Sequence, residues 1–389
     1  MTPPQSLRPL IIGFLRRGYS ASGGVEVYLK GLAEGLRSEG HRVILLGTEE
    51  WPAEAWPGGE ILRCKGQSLS VYAAEVERQK ATSGIAFDLI LSVEKVPGCD
   101  IYRTDEGLHR AWLTTRENYV SFWARSFQWW NPKHREKLAL EKQLFQPHST
   151  RRVISISEKI TRDIRALYDY PLSQIRMIHN GVPLLGIPTP EERTQARSDL
   201  GIVPEEKIIL FVGTGWERKG LRFALCAVEQ LVAESKTEGS GTKKITLLVA
   251  GKGSVRRYAS PIVRFLGPVK QMAPVYAAAD LFVTPTIFEP FSLAALEALS
   301  SGLPVITSAA AGISEIMTPG VHGEIIEEPS DIASLAKSLR KWLTISDDPE
   351  SIATARAACS ELASGFTLER NLRETLSLIH EVIAEKKGK

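Results

Sequence analysis

Two carboxylates, Glu289 and Glu297, bracket the stretch FEPFSLAALEA at residues 288–298, whose other side chains are almost all apolar. A lone carboxylate among Leu293, Ala294, Leu296, Ala298 and Leu299 is costly unless it is paired or hydrogen-bonded. Proline suits the first helical position, so Pro290 predicts a helix beginning there with Glu289 at or near its cap. The amides of Phe291, Ser292 and Leu293 would then point out of the helix start, where phosphate oxygens can meet them. Ribose hydroxyls would satisfy Glu297; the competing reading is a structural glutamate paired with a neighbouring Lys or Arg.

A second candidate is FVGTGWERKGL at 211–221. The spacing of Gly213, Gly215 and Gly220 misses G-x-G-x-x-G, and Leu221-Arg222 stands where a P-loop needs Lys-Ser/Thr. What remains is Arg218 beside Lys219 after a strand-like run, a guanidinium fork and an ammonium suited to a diphosphate. A solvated charged turn is the plainer alternative. In RRGYSASGGVEVYLK, Gly23 and Gly24 fall where a strand turns into a helix, offering amides and a positive helix end to an anion, or simply a tight turn.

The segment HRAWLTTRENYVSFWARSFQWWNPKHREK, 109–137, holds four of the eight tryptophans, Trp112, Trp123, Trp129 and Trp130. Six Lys/Arg, among them Arg125, stand against Glu117 and Glu136. Tryptophan with cations is the composition of an interfacial segment, rings at headgroup depth and cations on anionic lipid. A helix pair packed on its own domain, or a protein partner, is the rival.

The elements that must position these residues alternate along the chain: short apolar runs, then helical patterns, as in α/β layering with parallel sheets. Strands are predicted at 10–15, 41–47, 87–93, 151–157 and 174–181, and again at 207–213, 244–251, 262–267, 280–286 and 303–308. The proline-rich, charged stretch 183–206 reads as a boundary. The expected plan is a domain at 1–183, a linker at 184–206, a second domain at 207–365 and a terminal helix at 366–389. Two such units imply a cleft, since open parallel sheets bind ligands at the carboxyl ends of their strands.

Composition sets outer limits. The 389 residues are 43% hydrophobic and 24% charged, with formal net charge +3, too balanced for a dedicated nucleic-acid binder. Cys64, Cys99, Cys226 and Cys359 form no C-x-x-C pair and no metal-ligand spacing with histidine, which suggests reduced packing residues of a cytosolic protein. The N-terminal apolar run is too brief for a signal peptide, and no window is long enough to span a membrane.

Together these residues resemble the retaining, GT-B-fold glycosyltransferases of family 4. The shared text is E-x7-E at Glu289 and Glu297, Gly-x-Gly…Arg-Lys-Gly at Gly213, Gly215, Arg218, Lys219 and Gly220, and the Gly23-Gly24 turn. ISEKITRDI, HNGV and ALSSGLPVITS are similar too, so the resemblance covers nearly the whole chain. It implies an α/β fold of two Rossmann-like domains facing across a cleft, with a C-terminal helix crossing back to the first domain. It also implies that Glu297 binds the ribose of a nucleotide-sugar, UDP-linked by subgroup expectation. Arg218 and Lys219 would hold the diphosphate, completed by the Ser292 and Leu293 amides and Gly24. Glu289 would contact the donor sugar. No metal and no cofactor are implied, in keeping with the missing D-x-D motif.

Many members carry a histidine beside the reacting carbon, and a lipopolysaccharide-core subgroup an aspartate. By spacing from Pro97-Gly98 that position falls on Glu106 in YRTDEGLHRAW, with Asp105 and His109 adjacent alternatives; a solvated acidic turn is the plain reading. The core-glucosyltransferase subgroup also has a basic, aromatic insertion like 109–137. The expected function is transfer from a nucleotide-sugar to a lipopolysaccharide-core or other lipid-linked saccharide at the cytoplasmic membrane face. A soluble acceptor, or a nucleotide-sugar epimerase or phosphorylase on the same fold, is the alternative. A glycogen-type phosphorylase would need a cofactor-bearing lysine and a much longer chain.

Overall fold

The computed structural model describes residues 8–20, 23–237 and 244–387. The chain divides into two compact units, one made of 1–179 with 368–389 and the other of 180–367.

The first unit is built on seven parallel strands: β1 (Ile11–Leu15), β2 (Arg42–Gly47), β3 (Ile61–Arg63), β4 (Leu89–Ser92), β5 (Ile101–Arg103), β6 (Arg152–Ser155) and β7 (Ile175–Met177). Their order across the sheet is β3-β2-β1-β4-β5-β6-β7. The central strands β1 and β4 are continuous apolar runs because helices cover both faces of a parallel sheet. The helix Gly24–Ser38 packs on this sheet and against the helix Leu368–Lys387, which contributes Leu378, Ile379, Val382 and Ile383 to the same core. Glycine makes that approach close: a Cβ on Gly31 would lie 2.8 Å from Leu372 and one on Gly35 3.2 Å from Leu376. Tyr28 Oη donates to Thr375 Oγ1 across the pair at 3.3 Å.

The second unit carries β8 (Lys207–Val212), β9 (Ile245–Ala250), β10 (Val263–Gly267), β11 (Leu281–Thr284), β12 (Val305–Ser308) and β13 (Gly323–Ile326), all parallel, in the order β10-β9-β8-β11-β12-β13. Its two ends are clipped side by side, for Val182 pairs with Thr367 and donates its N–H to Phe366.

Three strands carry no strong sequence signal. β3 and β5 have only three residues each, and β13 (GEII) is interrupted by a glutamate and opens on Gly323 at φ +132°. In the other direction, the predicted strand 174–181 stops at Met177. The helix expected from Pro290 begins only at Leu293, with Ser292 as its N-cap in a left-handed conformation at φ 93°. The reason is backbone pairing: Glu289 forms a parallel bridge with Ala311, and Gly312 and Ile313 donate to the carbonyls of Glu289 and Phe291. Glu289 is therefore held in that bridge, the chain bends through Pro290 and Phe291, and Glu289 is not a helix cap.

Candidate active site

In the second unit the turn after β8 and the segment after β11 are laced together. Ile287 N and Thr286 Oγ1 donate to the Arg218 carbonyl at 2.8 and 2.9 Å, and Arg218 Nη1 returns to the Phe288 carbonyl at 2.8 Å. Gly220 permits this: at φ +76°, a Cβ there would stand 1.8 Å from the Pro285 carbonyl oxygen. Gly213 is needed differently, since its Cβ would meet the Lys219 stem at 2.7 Å, while Gly215 at φ +67° faces open space. The outcome is a cluster in which Glu289 lies 2.9 Å from Lys219 Nζ and 3.3 Å from Arg218 Nη1. Glu289 and Lys219 are both buried. The contacts are ionic rather than well-aligned hydrogen bonds. Burial alone would raise the Glu289 pKa, but the two cations outweigh it and hold the carboxyl below its ordinary value.

Glu297 is not paired with a Lys or Arg among the described residues, a pairing the structural alternative required. Tyr276 Oη donates to its Oε2 at 2.7 Å and also to the Ala294 carbonyl at 3.1 Å. Burial raises the Glu297 pKa, and the tyrosine bond only partly offsets it. Among the described residues nothing else hydrogen-bonds that side chain, so Oε1 keeps its lone pairs. The backbone amides of Ser292 and Leu293 likewise have no partner there, whereas the Ser292 hydroxyl accepts from Ala295 N. Phe291 is buried. Tyr276 lies on another helix, 273–278, and no spacing in the sequence links it to Glu297.

In the first unit the carboxyl ends of β1, β4 and β5 gather a charged set. At β1, a Cβ on Gly23 would stand 1.9 Å from the Glu26 carboxylate, so that glycine makes room for a side chain of its own helix. Arg16 holds the buried Glu26 at 3.0 Å and Glu94 at 3.2 Å. Gly24, the first helical residue, is exposed. After β5 a turn closes from Gly107 N to the Thr104 carbonyl, and it separates the three candidates for the position beside the reacting carbon. Asp105 is turned inward onto Arg103, whose guanidinium lies over the Tyr28 ring at 3.7 Å. Glu106 is displayed outward, its side chain 57% exposed, with Lys95 Nζ at 3.8 Å. Lys95 foremost, then Lys137, Arg16 and Arg17, lower its pKa. His109 meets His134 at 3.0 Å between ring nitrogens. Burial, followed by Lys137 and Lys95, pushes His109 down to about 3, so it is neutral near pH 7. Glu141, absent from the sequence reading, is fully buried and accepts from the His109 and Arg110 amides and from Tyr168 Oη.

The aromatic segment forms the helix Phe122–Trp130, and its burial is inverted. Gln128 is the buried residue, donating to the Leu113 carbonyl and Glu117 and accepting from Arg116. Phe122, Trp123, Phe127 and Trp130 are each at least 70% exposed. Arg125 is exposed, Trp112 is half-buried, and Trp129 donates its indole N–H to Glu117 at 2.7 Å. Among the described residues no helix is long and apolar enough to cross a membrane.

Residues 206–344 match the family described as "Glycosyl transferases group 1". Those residues carry a domain of that family, and the chain as a whole has the GT-B fold. Among its relatives, an uncharacterized glycosyltransferase of Methanocaldococcus jannaschii is 26% identical over 82% of this chain and 86% of its own. The lipopolysaccharide glucosyltransferase WaaG of Escherichia coli is 22% identical over 86% and 90%. A crystal structure of WaaG superposes with a TM-score of 0.78 over 95% of this chain and 99% of that one, at 22% identity. Anabaena HepE, solved with UDP and glucose, gives 0.70 over 95% and 99%, at 18% identity.

Proposed function

We propose that this chain is a metal-independent, retaining glycosyltransferase of family 4 that moves a hexosyl group from a UDP-sugar to a lipopolysaccharide-core or other lipid-linked saccharide. The observation that carries the reading is the Arg218–Lys219–Glu289 cluster at the ends of β8 and β11. Two cations fixed there match a diphosphate, and Lys219 has donors enough to serve both Glu289 and a phosphate oxygen. Glu297 takes the ribose diol on its unbonded oxygen, the Ser292 and Leu293 amides take phosphate oxygens, and Glu289 faces hydroxyls of the sugar. Support for UDP and for the acceptor class comes from what HepE holds and from what WaaG is named for.

The bond from the anomeric carbon to the diphosphate oxygen breaks as the acceptor oxygen bonds that carbon on the same face. The acceptor proton passes to the departing phosphate oxygen. Arg218 and Lys219 stabilise the charge that collects on that group, which is the electrostatic task a metal would otherwise perform. Glu106, exposed and ionised, orients the acceptor or the developing positive charge; Asp105 and His109 are held in other contacts. The inverted helix Phe122–Trp130, which carries Arg125, rests on an anionic membrane at its cytoplasmic face. Radiolabel transfer from a panel of nucleotide-sugars to a lipid-linked saccharide extract tests this. Labelled lipid product with a UDP-sugar is expected, and it disappears in Lys219→Gln. Absence of turnover with every donor, with and without the extract, sinks the proposal.

A further inference from the structure

Glu141 is wholly buried on the helix Pro132–Leu144, and every hydrogen bond its carboxylate makes is to another element. Oε2 accepts from His109 N, while Oε1 accepts from Arg110 N at 3.0 Å and from Tyr168 Oη at 2.7 Å. The two amides open the helix His109–Arg116, where the helix itself has no carbonyl to offer them. A Ser, Thr, Asp or Asn just before a helix ordinarily serves such amides. Here that position is Leu108, which is buried and has no side-chain acceptor. Glu141 supplies the cap from 32 residues downstream of His109, with a charge that suits a positive helix end.

What this cap fixes is the link from β5 to the helix. Thr104 N and Oγ1 both donate to the Ile154 carbonyl at 3.1 Å, Gly107 N closes the turn onto Thr104, and Glu141 holds the far end. Glu106 lies between those anchors. Its own carboxylate makes no hydrogen bond among the described residues, and the one ion pair it has there is with Lys95 at 3.8 Å. Its place is therefore set by the backbone on either side rather than by its side chain. The helix Pro132–Leu144 also steadies the His109 ring, through His134 at 3.0 Å.

We propose that Glu141 is a positioning residue of the transfer reaction: by capping the helix His109–Arg116 it holds the turn that presents Glu106 to the acceptor. This rests on the glycosyltransferase reading and on Glu106 as its acceptor-side group. Glutamine in place of Glu141 keeps the shape but has one acceptor oxygen, and its NH2 group would face an amide N–H. The test is a double-mutant cycle on transfer from the UDP-sugar that the parent uses to the lipid-linked saccharide extract. Glu141→Gln should lower kcat about tenfold or more, the scale of a sub-ångström to 1 Å misplacement, with KM for the donor within about twofold. In a Glu106→Gln background, itself slowed, the same change should cost less than about twofold, because its effect passes through Glu106. Tyr168→Phe takes one bond from the same carboxylate but leaves both amides capped, so it should lower the thermal midpoint without slowing transfer. Glu141→Asp, which keeps the charge and shortens the reach, should slow transfer in the same direction and gives the readout if Glu141→Gln folds poorly. Equal losses with and without Glu106, an unslowed Glu106→Gln, or a Tyr168→Phe as slow as Glu141→Gln would overturn the proposal while leaving the transferase reading standing. A parent protein that turns over no donor strikes that reading, and this proposal with it.

Discussion

Glu289 and Glu297 are both buried acids of the second unit, yet their partners give them opposite pH behaviour. The folded pKa of Glu289 is lowered, so its contribution to stability is fully present above the ordinary carboxylate value and is lost as pH falls through the lowered one. Replacing it by Gln leaves Lys219 buried beside a neutral group. Glu289→Gln should cost about 3 kcal/mol at pH 7, read as a drop in urea midpoint. The folded pKa of Glu297 is raised, so folding favours its protonated form; that contribution is present below the ordinary value and is lost as pH climbs through the raised one. Glu297→Gln should therefore raise the thermal midpoint of the ligand-free protein at pH 7, with the gain vanishing near pH 4. The same variant should weaken UDP binding by about tenfold or more, because a carboxylate–hydroxyl bond is replaced by an amide one. A glutamate that destabilises the empty protein and tightens its ligand is the expected signature of a binding residue.

At the scale of elements, two predictions follow from backbone and exposure. Gly220→Ala would place a methyl on the Pro285 carbonyl at a left-handed φ, so the turn bearing Arg218 and Lys219 must move. UDP binding by calorimetry should fall below detection while far-ultraviolet circular dichroism is retained. The helix Phe122–Trp130 is anchored by a buried glutamine and presents its rings outward, so Trp123→Ser with Trp130→Ser should reduce sedimentation with phosphatidylglycerol vesicles severalfold. Hydrolysis of the nucleotide-sugar in solution should not change.

This is also the scale at which sequence was most and least informative. Long apolar runs such as KIILFV and ITLLVA announce themselves, because a strand buried on both faces admits little else. IYR does not, although it positions the turn carrying Asp105 and Glu106. Pro290 suggested a helix start that backbone pairing of Glu289 with Ala311, 22 positions downstream, overrides. At the site, Arg218 and Lys219 were legible from composition and place. The tyrosine on Glu297 and the burial of Glu141 under the His109 and Arg110 amides depend on contacts between distant segments, and no local pattern encodes those.

For the whole molecule, the first unit is assembled from two pieces of chain, and its second piece is the helix Leu368–Lys387. That helix supplies four aliphatic side chains to the core around Leu29, Leu32 and Leu36. A chain ending at Thr367 should leave the first unit unfolded or aggregation-prone, while the second keeps its cooperative transition in a urea melt followed by limited proteolysis.

The same division gives the molecule an order in time. Synthesis delivers the N-terminal sheet first, but that sheet waits with an uncovered helix face until the final helix leaves the ribosome. The second unit is continuous, and both residues of its clip, Val182 and Thr367, precede that helix in the chain. At roughly 5–20 residues per second, the first-made half spends many seconds incomplete and in need of shelter. The part begun first is thus the part finished last.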